Sequence, residues 1–218
     1  MTEPRGLIFD LDGTLVDSLP GIAAALNAAL ENEGLPGHPE QAVRRFVGDG
    51  LETTVRRACP AGFGDTGIAR LVNGFHGYYA DVWRPGTRPY PGIPGLLGEL
   101  AAGGAALAIL SNKSHAFTLE MAAEIFADVD FRAVLGLRPG MPPKPDPSGA
   151  LEIARDLALD PGRCLVIGDS TMDIGTAKNA GMRCCAVTWG YHDAPRLRAA
   201  GPDAVAGDAI GLADLLRR

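Results

Sequence analysis

Lysine is nearly missing from this chain. Only three of the 20 basic residues are lysine, at Lys113, Lys144 and Lys178, and the other 17 are arginine. The basic residues form no long run and the formal net charge is −6, so the footprint of a nucleic-acid-binding protein is absent. No stretch approaches the roughly 18 uninterrupted apolar residues of a spanning helix, and no membrane partner is expected. Cys59, Cys164, Cys184 and Cys185 form no C-x-x-C pair. Two of them lie in apolar runs read as buried strands, so reduced core thiols are expected. Met1-Thr2-Glu3-Pro4-Arg5 leads directly into a strand-like run, without the apolar region and cleavage site of a secretory signal. Together these absences lead to the expectation of a cytoplasmic protein, and no internal repeat or low-complexity tail complicates it.

What is present suffices for a sizeable core. At 218 residues, 46% apolar and 21% charged, the chain can form one large domain or a core domain carrying a smaller inserted one. Residues 7–9 are an apolar run short enough for a buried strand that delivers Asp10 to a loop. From 18 to 33 apolar residues recur at helical spacing, closed by Gly34 and Pro36, and 39–46, 51–58 and 66–83 are further helical segments. Residues 84–92, dense in Pro and Gly, mark the exit from this helical block. Beyond them strands at 107–110, 131–135, 165–167, 184–187 and 204–205 alternate with helices at 116–126, 148–158, 172–180, 194–199 and 210–216. Such alternation predicts a doubly wound α/β core, a parallel sheet with helices on both faces that binds ligands at the carboxyl ends of its strands. The domain expectation is a core of residues 1–17 and 85–218 with an inserted all-helical domain at 18–84.

Four polar clusters follow predicted strands. Asp10 and Asp12 stand two apart at a strand end, where a period of two puts both side chains on one face, and Gly13 permits a sharp turn. One carboxylate could attack phosphorus while the other handles a proton; a tight hairpin turn at Asp12-Gly13 is the alternative. Ser111-Asn112-Lys113 ends the next strand and opens a helix, offering donors to a phosphate or a plain helix cap. In Pro142-Pro143-Lys144-Pro145-Asp146-Pro147 the prolines stiffen a loop that presents Lys144, either to a ligand or to solvent. Gly168-Asp169-Ser170-Thr171-Met172-Asp173 places hard oxygen ligands suited to Mg²⁺ at another strand end, or merely complements a helix N-terminus. Two of the three lysines fall in these clusters, where a compact ammonium suits a crowded phosphate site.

In order and over nearly the whole chain, Asp10-Leu11-Asp12-Gly13-Thr14, Ser111-Asn112, Lys144 and Gly168 to Asp173 resemble the four motifs of the haloacid dehalogenase superfamily of phosphatases. Within it the sequence is similar to bacterial phosphoglycolate phosphatases, through residues 9–18, Phe46-Val47-Gly48-Asp49-Gly50, Tyr90-Pro91-Gly92 and Val187-Thr188-Trp189-Gly190-Tyr191. The resemblance implies a Rossmann-like core with a mobile helical cap, and hydrolysis of a small phosphate ester, foremost 2-phosphoglycolate, through an aspartyl-phosphate. It implies that Asp10 is the nucleophile and Asp12 the acid and base. Mg²⁺ would be held by the side chains of Asp10 and Asp169 and the carbonyl of Asp12, with Asp173 placing a water on it. Ser111, the backbone at Asn112, and Lys144 would surround the phosphoryl oxygens. On that reading, losing Lys144 cripples turnover and leaves the fold intact.

Gly48, Asp49 and Gly50 are the candidate loop by which the cap reads substrate, with a simple inter-helix turn as the alternative. Arg44 and Arg45 could meet a substrate carboxylate or line a solvated face. His115 could touch substrate or sit on a helix surface, and Trp189 and Tyr191 could pack a late strand. Other readings are a sugar-phosphate, nucleotide or pyrophosphate phosphatase, a phosphosugar mutase, and a phosphate-binding protein without catalysis. A dehalogenase is disfavoured by the acid at Asp12, and a phosphonate hydrolase by the lack of any lysine between 18 and 84. The chain is expected to act as a monomer or a homodimer.

Overall fold

In the computed structural model, which describes residues 6–217, the apolar run before Asp10 forms strand β1 (Gly6–Phe9), buried throughout. Residues 1–5, which carry the expectation that no secretory signal is present, lie outside the described residues. After a short β2 (Val16–Asp17) come four helices: α1 (Leu19–Asn32), α2 (Glu40–Val43), α3 (Leu51–Ala58) and α4 (Asp65–Val82). Then β3 (Arg88–Pro89), α5 (Ile93–Ala102), β4 (Ala106–Ser114), α6 (His115–Ile125), β5 (Phe131–Leu137) and α7 (Ser148–Asp156) follow. The chain closes with β6 (Cys164–Gly168), α8 (Thr171–Ala180), β7 (Arg183–Val187), α9 (Ala194–Ala199), β8 (Ala204–Ala206) and α10 (Ala209–Leu216). Among the described residues no helix is long and apolar enough to cross a membrane. All four cysteines are unbridged, and Cys164, Cys184 and Cys185 are buried.

Six strands form one parallel sheet in the order β5-β4-β1-β6-β7-β8, and β2 pairs with β3 in a separate two-stranded sheet. The order reverses at β1, which is flanked by β4 on one side and β6 on the other. That reversal opens a crevice at the carboxyl ends of these three strands. Register aligns them, with Phe9 opposite both Ile109 and Ile167. The central strands read as continuous apolar runs because helices cover both faces. One face packs Ile8, Leu110, Val166, Ile153 and Ile174 into a single cluster.

The chain divides into two compact units. One runs as far as Val16 and resumes at Pro89; the other is Asp17–Arg88. Within the second unit α1 packs against α4 and α3 against α4. Its apolar stripe buries Leu26, Leu30, Leu71, Phe75, Tyr79 and Trp83, with the Phe75 and Tyr79 rings stacked 5.1 Å apart.

The helix α5 went unread in the sequence because Pro94, Gly95 and Gly98 interrupt its pattern. Pro94 occupies the first turn, where its missing N–H is not needed, and Gly92 enters the helix with φ +81°. The expected helix at 39–46 shrinks to the single turn of α2. The strand expected to end at Leu110 continues as β4 through Ser114, and the helix expected at 116–126 begins at His115.

Candidate active site

Asp10 follows β1 directly, and its N–H is bound by the carbonyl of Ile167 at 2.9 Å, which ties the first cluster to β6. The hairpin alternative fails, since β1 runs parallel to both neighbours and Gly13 turns with φ +85° in a loop where Leu15 and Val16 N–H donate to Leu11. Ser111 and Asn112 lie in β4, so neither caps α6; Ser114 stands at that position. Ser111 Oγ instead accepts from Lys113 N–H at 3.3 Å. Asp169 follows β6 by one residue.

Lys144 is not an exposed lysine on a turn. It is 6% exposed, and its Nζ lies 2.9 Å from Asp10 Oδ1 and 2.6 Å from Asp173 Oδ1 while donating to the Leu110 carbonyl at 3.2 Å. Asn112 fixes the backbone of Lys144 by hydrogen bonds in both directions. Asp173 meanwhile completes a capping box with Ser170 at the start of α8, accepting from Ser170 N–H at 3.0 Å and Oγ at 2.6 Å. It therefore both caps a helix and faces Lys144. Gly168 makes room for it: a Cβ there would meet Asp173 Cγ at 2.1 Å.

Asp169 sits in a cradle. Its Oδ1 accepts from Thr14 Oγ1 at 3.0 Å and its Oδ2 from Tyr191 N–H at 2.6 Å. A Cβ on Gly13 would come within 2.4 Å of Asp169 Oδ2, and one on Gly190 within 2.3 Å of both that oxygen and the Gly13 carbonyl. Trp189 holds the same loop by donating its Nε1–H to the Thr14 carbonyl at 3.1 Å. Sequence reading treated Trp189 and Tyr191 as strand packing and gave Thr14 no role. The signal was a glycine enclosed by two aromatics just beyond a buried strand.

Asp10, Asp169 and Asp173 are all buried, and one carboxylate oxygen from each lies within 4.8 Å of the others. Burial first, then the charges of Asp173 and Asp12, push Asp10 up from 3.8 to about 7 against the pull of Lys144. Burial followed by Asp10 and Asp173 pushes Asp169 up to about 8, against its hydrogen bonds from Tyr191 and Thr14. Burial also works against the Lys144 ammonium, but Asp10 and Asp173 overcome it and its pKa rises. Burial is thus the leading cause for both carboxylates, and the crowding of negative charge around Asp10 and Asp173 adds to it.

Asp12 is turned to a different partner. Lys113 Nζ reaches its two carboxylate oxygens at 3.1 and 3.0 Å, and both side chains are largely buried. Four carboxylates thus face two ammonium groups, leaving two formal negative charges among these six side chains. Hard, buried oxygen donors short of two positive charges fit a divalent cation such as Mg²⁺. The pairing of Lys113 was not foreseen, although the scarcity of lysine marked the residue.

The remaining expected residues belong to other elements. Gly48 and Gly50 have φ of +126° and +89°, Gly50 precedes α3, and Asp49 pairs with Arg57, all within the helical unit. Arg45 is exposed and Arg44 half-buried at the end of α2. His115 Nδ1 accepts from Gly136 N–H at 3.1 Å, which ties α6 to β5. His192, unassigned in the sequence, is buried and its Nδ1 accepts from Thr171 N–H at 3.1 Å, at the first residue of α8.

Comparison with known proteins agrees with this arrangement. Residues 7–187 match the family described as haloacid dehalogenase-like hydrolase. A phosphoglycolate phosphatase of Yersinia pestis is 34% identical over 97% of this chain and 95% of its own length. One from Rhodospirillum rubrum is 36% identical over 98% of this chain and 91% of its own. A crystal structure from Lactobacillus delbrueckii subsp. bulgaricus, assigned as a phosphoglycolate phosphatase, superposes with a TM-score of 0.92 at 30% identity, covering 99% of both chains. This chain belongs to the haloacid dehalogenase-like hydrolase family.

Proposed function

We propose that the chain is a divalent-metal-dependent phosphatase that hydrolyses a small phosphate monoester, foremost 2-phosphoglycolate, through an aspartyl-phosphate. The observation that carries this reading is the convergence of buried Asp10, Asp169 and Asp173 at the sheet's reversal point, with Lys144 paired to Asp10 and Asp173. The names of the relatives support phosphoglycolate as substrate.

Asp10 would attack phosphorus, breaking the ester P–O bond, while Asp12 gives its proton to the departing alkoxide. Asp12 would then take a proton from water as that water attacks the acyl phosphate, releasing phosphate and restoring Asp10. Ser111, the backbone at Asn112, and Lys144 would hold the phosphoryl oxygens. Mg²⁺ would be held by the side chains of Asp10 and Asp169 and the carbonyl of Asp12, with Asp173 supporting them. When bound, it supplies positive charge against the transferring phosphoryl group. The helical unit from 17 to 88 would act as the cap, with Gly48, Asp49 and Gly50 as its substrate-reading loop. The substrate is a small molecule, and a monomer or homodimer would carry the whole site.

The test is phosphate release from a panel holding 2-phosphoglycolate, sugar phosphates, a nucleotide and pyrophosphate, with and without Mg²⁺. Expected are metal-dependent turnover led by 2-phosphoglycolate and its abolition by Asp10→Asn. Metal-independent turnover, or an active Asp10→Asn protein, would refute the mechanism.

A further inference from the structure

Lys144 answers Asp10 and Asp173, but the scheme above gives Lys113 no task. Its ammonium faces both oxygens of Asp12 at 3.1 and 3.0 Å, and the side chain is 8% exposed. It is carried by β4, whose register with β1 fixes the two strand ends side by side. The charge is therefore anchored beside Asp12 by the sheet rather than by a loop. Burying an ammonium is costly, and an uncharged side chain of the same length would fill the space equally well. The chain also spends few lysines, keeping three of its 20 basic residues as this type.

We propose that Lys113 determines specificity by reading negative charge on the leaving group, so that the site prefers phosphate monoesters of 2-hydroxy carboxylic acids. The inference rests on the reading above, in which Asp12 meets the ester oxygen. In such esters a single carbon separates that oxygen from the carboxylate. An ammonium paired with the residue that protonates the oxygen consequently lies beside the carboxylate. With three N–H donors it can bridge Asp12 and the substrate. A neutral alcohol offers it no anion, and a buried charge left with a poorer set of partners weakens binding. Specificity is then written partly into the core sheet, not only into the helical unit.

The experiment compares kcat/KM for 2-phosphoglycolate with that for ethyl phosphate, in which a methyl replaces the carboxylate. The wild-type ratio should favour 2-phosphoglycolate on the order of 30-fold or more. Lys113→Met should bring the ratio to within about threefold of unity, chiefly through KM for 2-phosphoglycolate, and Lys113→Arg should restore part of it. Any general loss of activity cancels in the ratio. A wild-type ratio near unity, or a Lys113→Met protein that keeps the wild-type ratio while slowing on both esters, overturns the proposal. Lys113→Gln replaces the methionine variant if that one does not fold. Asp10→Asn separates the two levels of inference. If it abolishes turnover of both esters while the ratio ignores Lys113, the phosphatase reading stands and the specificity role falls. If it leaves turnover intact, the phosphatase reading falls as well.

Discussion

Asn112 grips Lys144 through the backbone: its Oδ1 accepts from Lys144 N–H at 2.8 Å and its Nδ2 donates to the Lys144 carbonyl at 3.3 Å. The residue whose backbone is expected to border the phosphate thus uses its side chain to hold the loop that delivers the lysine. Asn112→Ala should leave a buried N–H and a buried carbonyl short of partners, costing about 1–3 kcal/mol of stability. It should also lower kcat by displacing Lys144. Urea unfolding and steady-state kinetics on the same preparation check both effects, and unchanged kcat would confine Asn112 to a structural role.

Lys144→Met should reduce turnover roughly 10²–10³-fold. The fold will not stay untouched, contrary to the expectation from sequence, because Asp10 and Asp173 remain buried beside the lost cation. Breaking a buried pair in this way costs about 3–5 kcal/mol. A melt without added metal should reveal the loss, and a melting temperature equal to the wild type's would contradict it.

Gly190→Ala places a methyl 2.3 Å from Asp169 and from the Gly13 carbonyl. Neither the Asp169 carboxylate nor the Gly13 carbonyl can yield without moving oxygens proposed to face the cation. Mg²⁺ affinity measured by calorimetry should fall roughly 10–100-fold. Gly207→Ala, where nothing lies within 4 Å of the added carbon, serves as the control and should bind as the wild type does.

Proton and metal binding should compete. Asp10 and Asp169 titrate near 7 and 8 in the folded protein but start from an ordinary 3.8. Between these values the metal-free folded state binds more protons than the unfolded chain, so stability falls as pH rises from about 4 through about 8 and levels off above. A divalent cation binds the ionised cluster and counters the loss. The rise in melting temperature on adding Mg²⁺ should therefore be larger at about pH 8.5 than at about pH 5.5. An equal rise at both would sink the assignment of these carboxylates to a cation.

Much of the architecture is local and was legible. Apolar runs of strand length ending in Asp10, Leu110 and Ile167, separated by helical periodicity, announce a parallel α/β sheet, because a strand buried on both faces must be apolar throughout. The same runs show which polar residues emerge at strand ends, and so the order of the four clusters. Local pattern misjudged α5, where glycine and proline mask a helix that packing of Ile93, Leu96 and Leu97 sustains. It also ended β4 too early, since pairing of Ser114 with Leu137 extends the strand through polar residues.

The sequence by itself determined the sheet's composition and the chemical identity of the acids and lysines. Only the tertiary structure decided their pairing: Lys144 with Asp10 and Asp173, Lys113 with Asp12 across 101 residues, and Asp169 in a cradle of Thr14, Gly13, Gly190 and Tyr191. Charge alone could not choose between the two lysines. Strand order and register did, by bringing one end of β1 between β4 and β6 and burying every group that then had to find a partner.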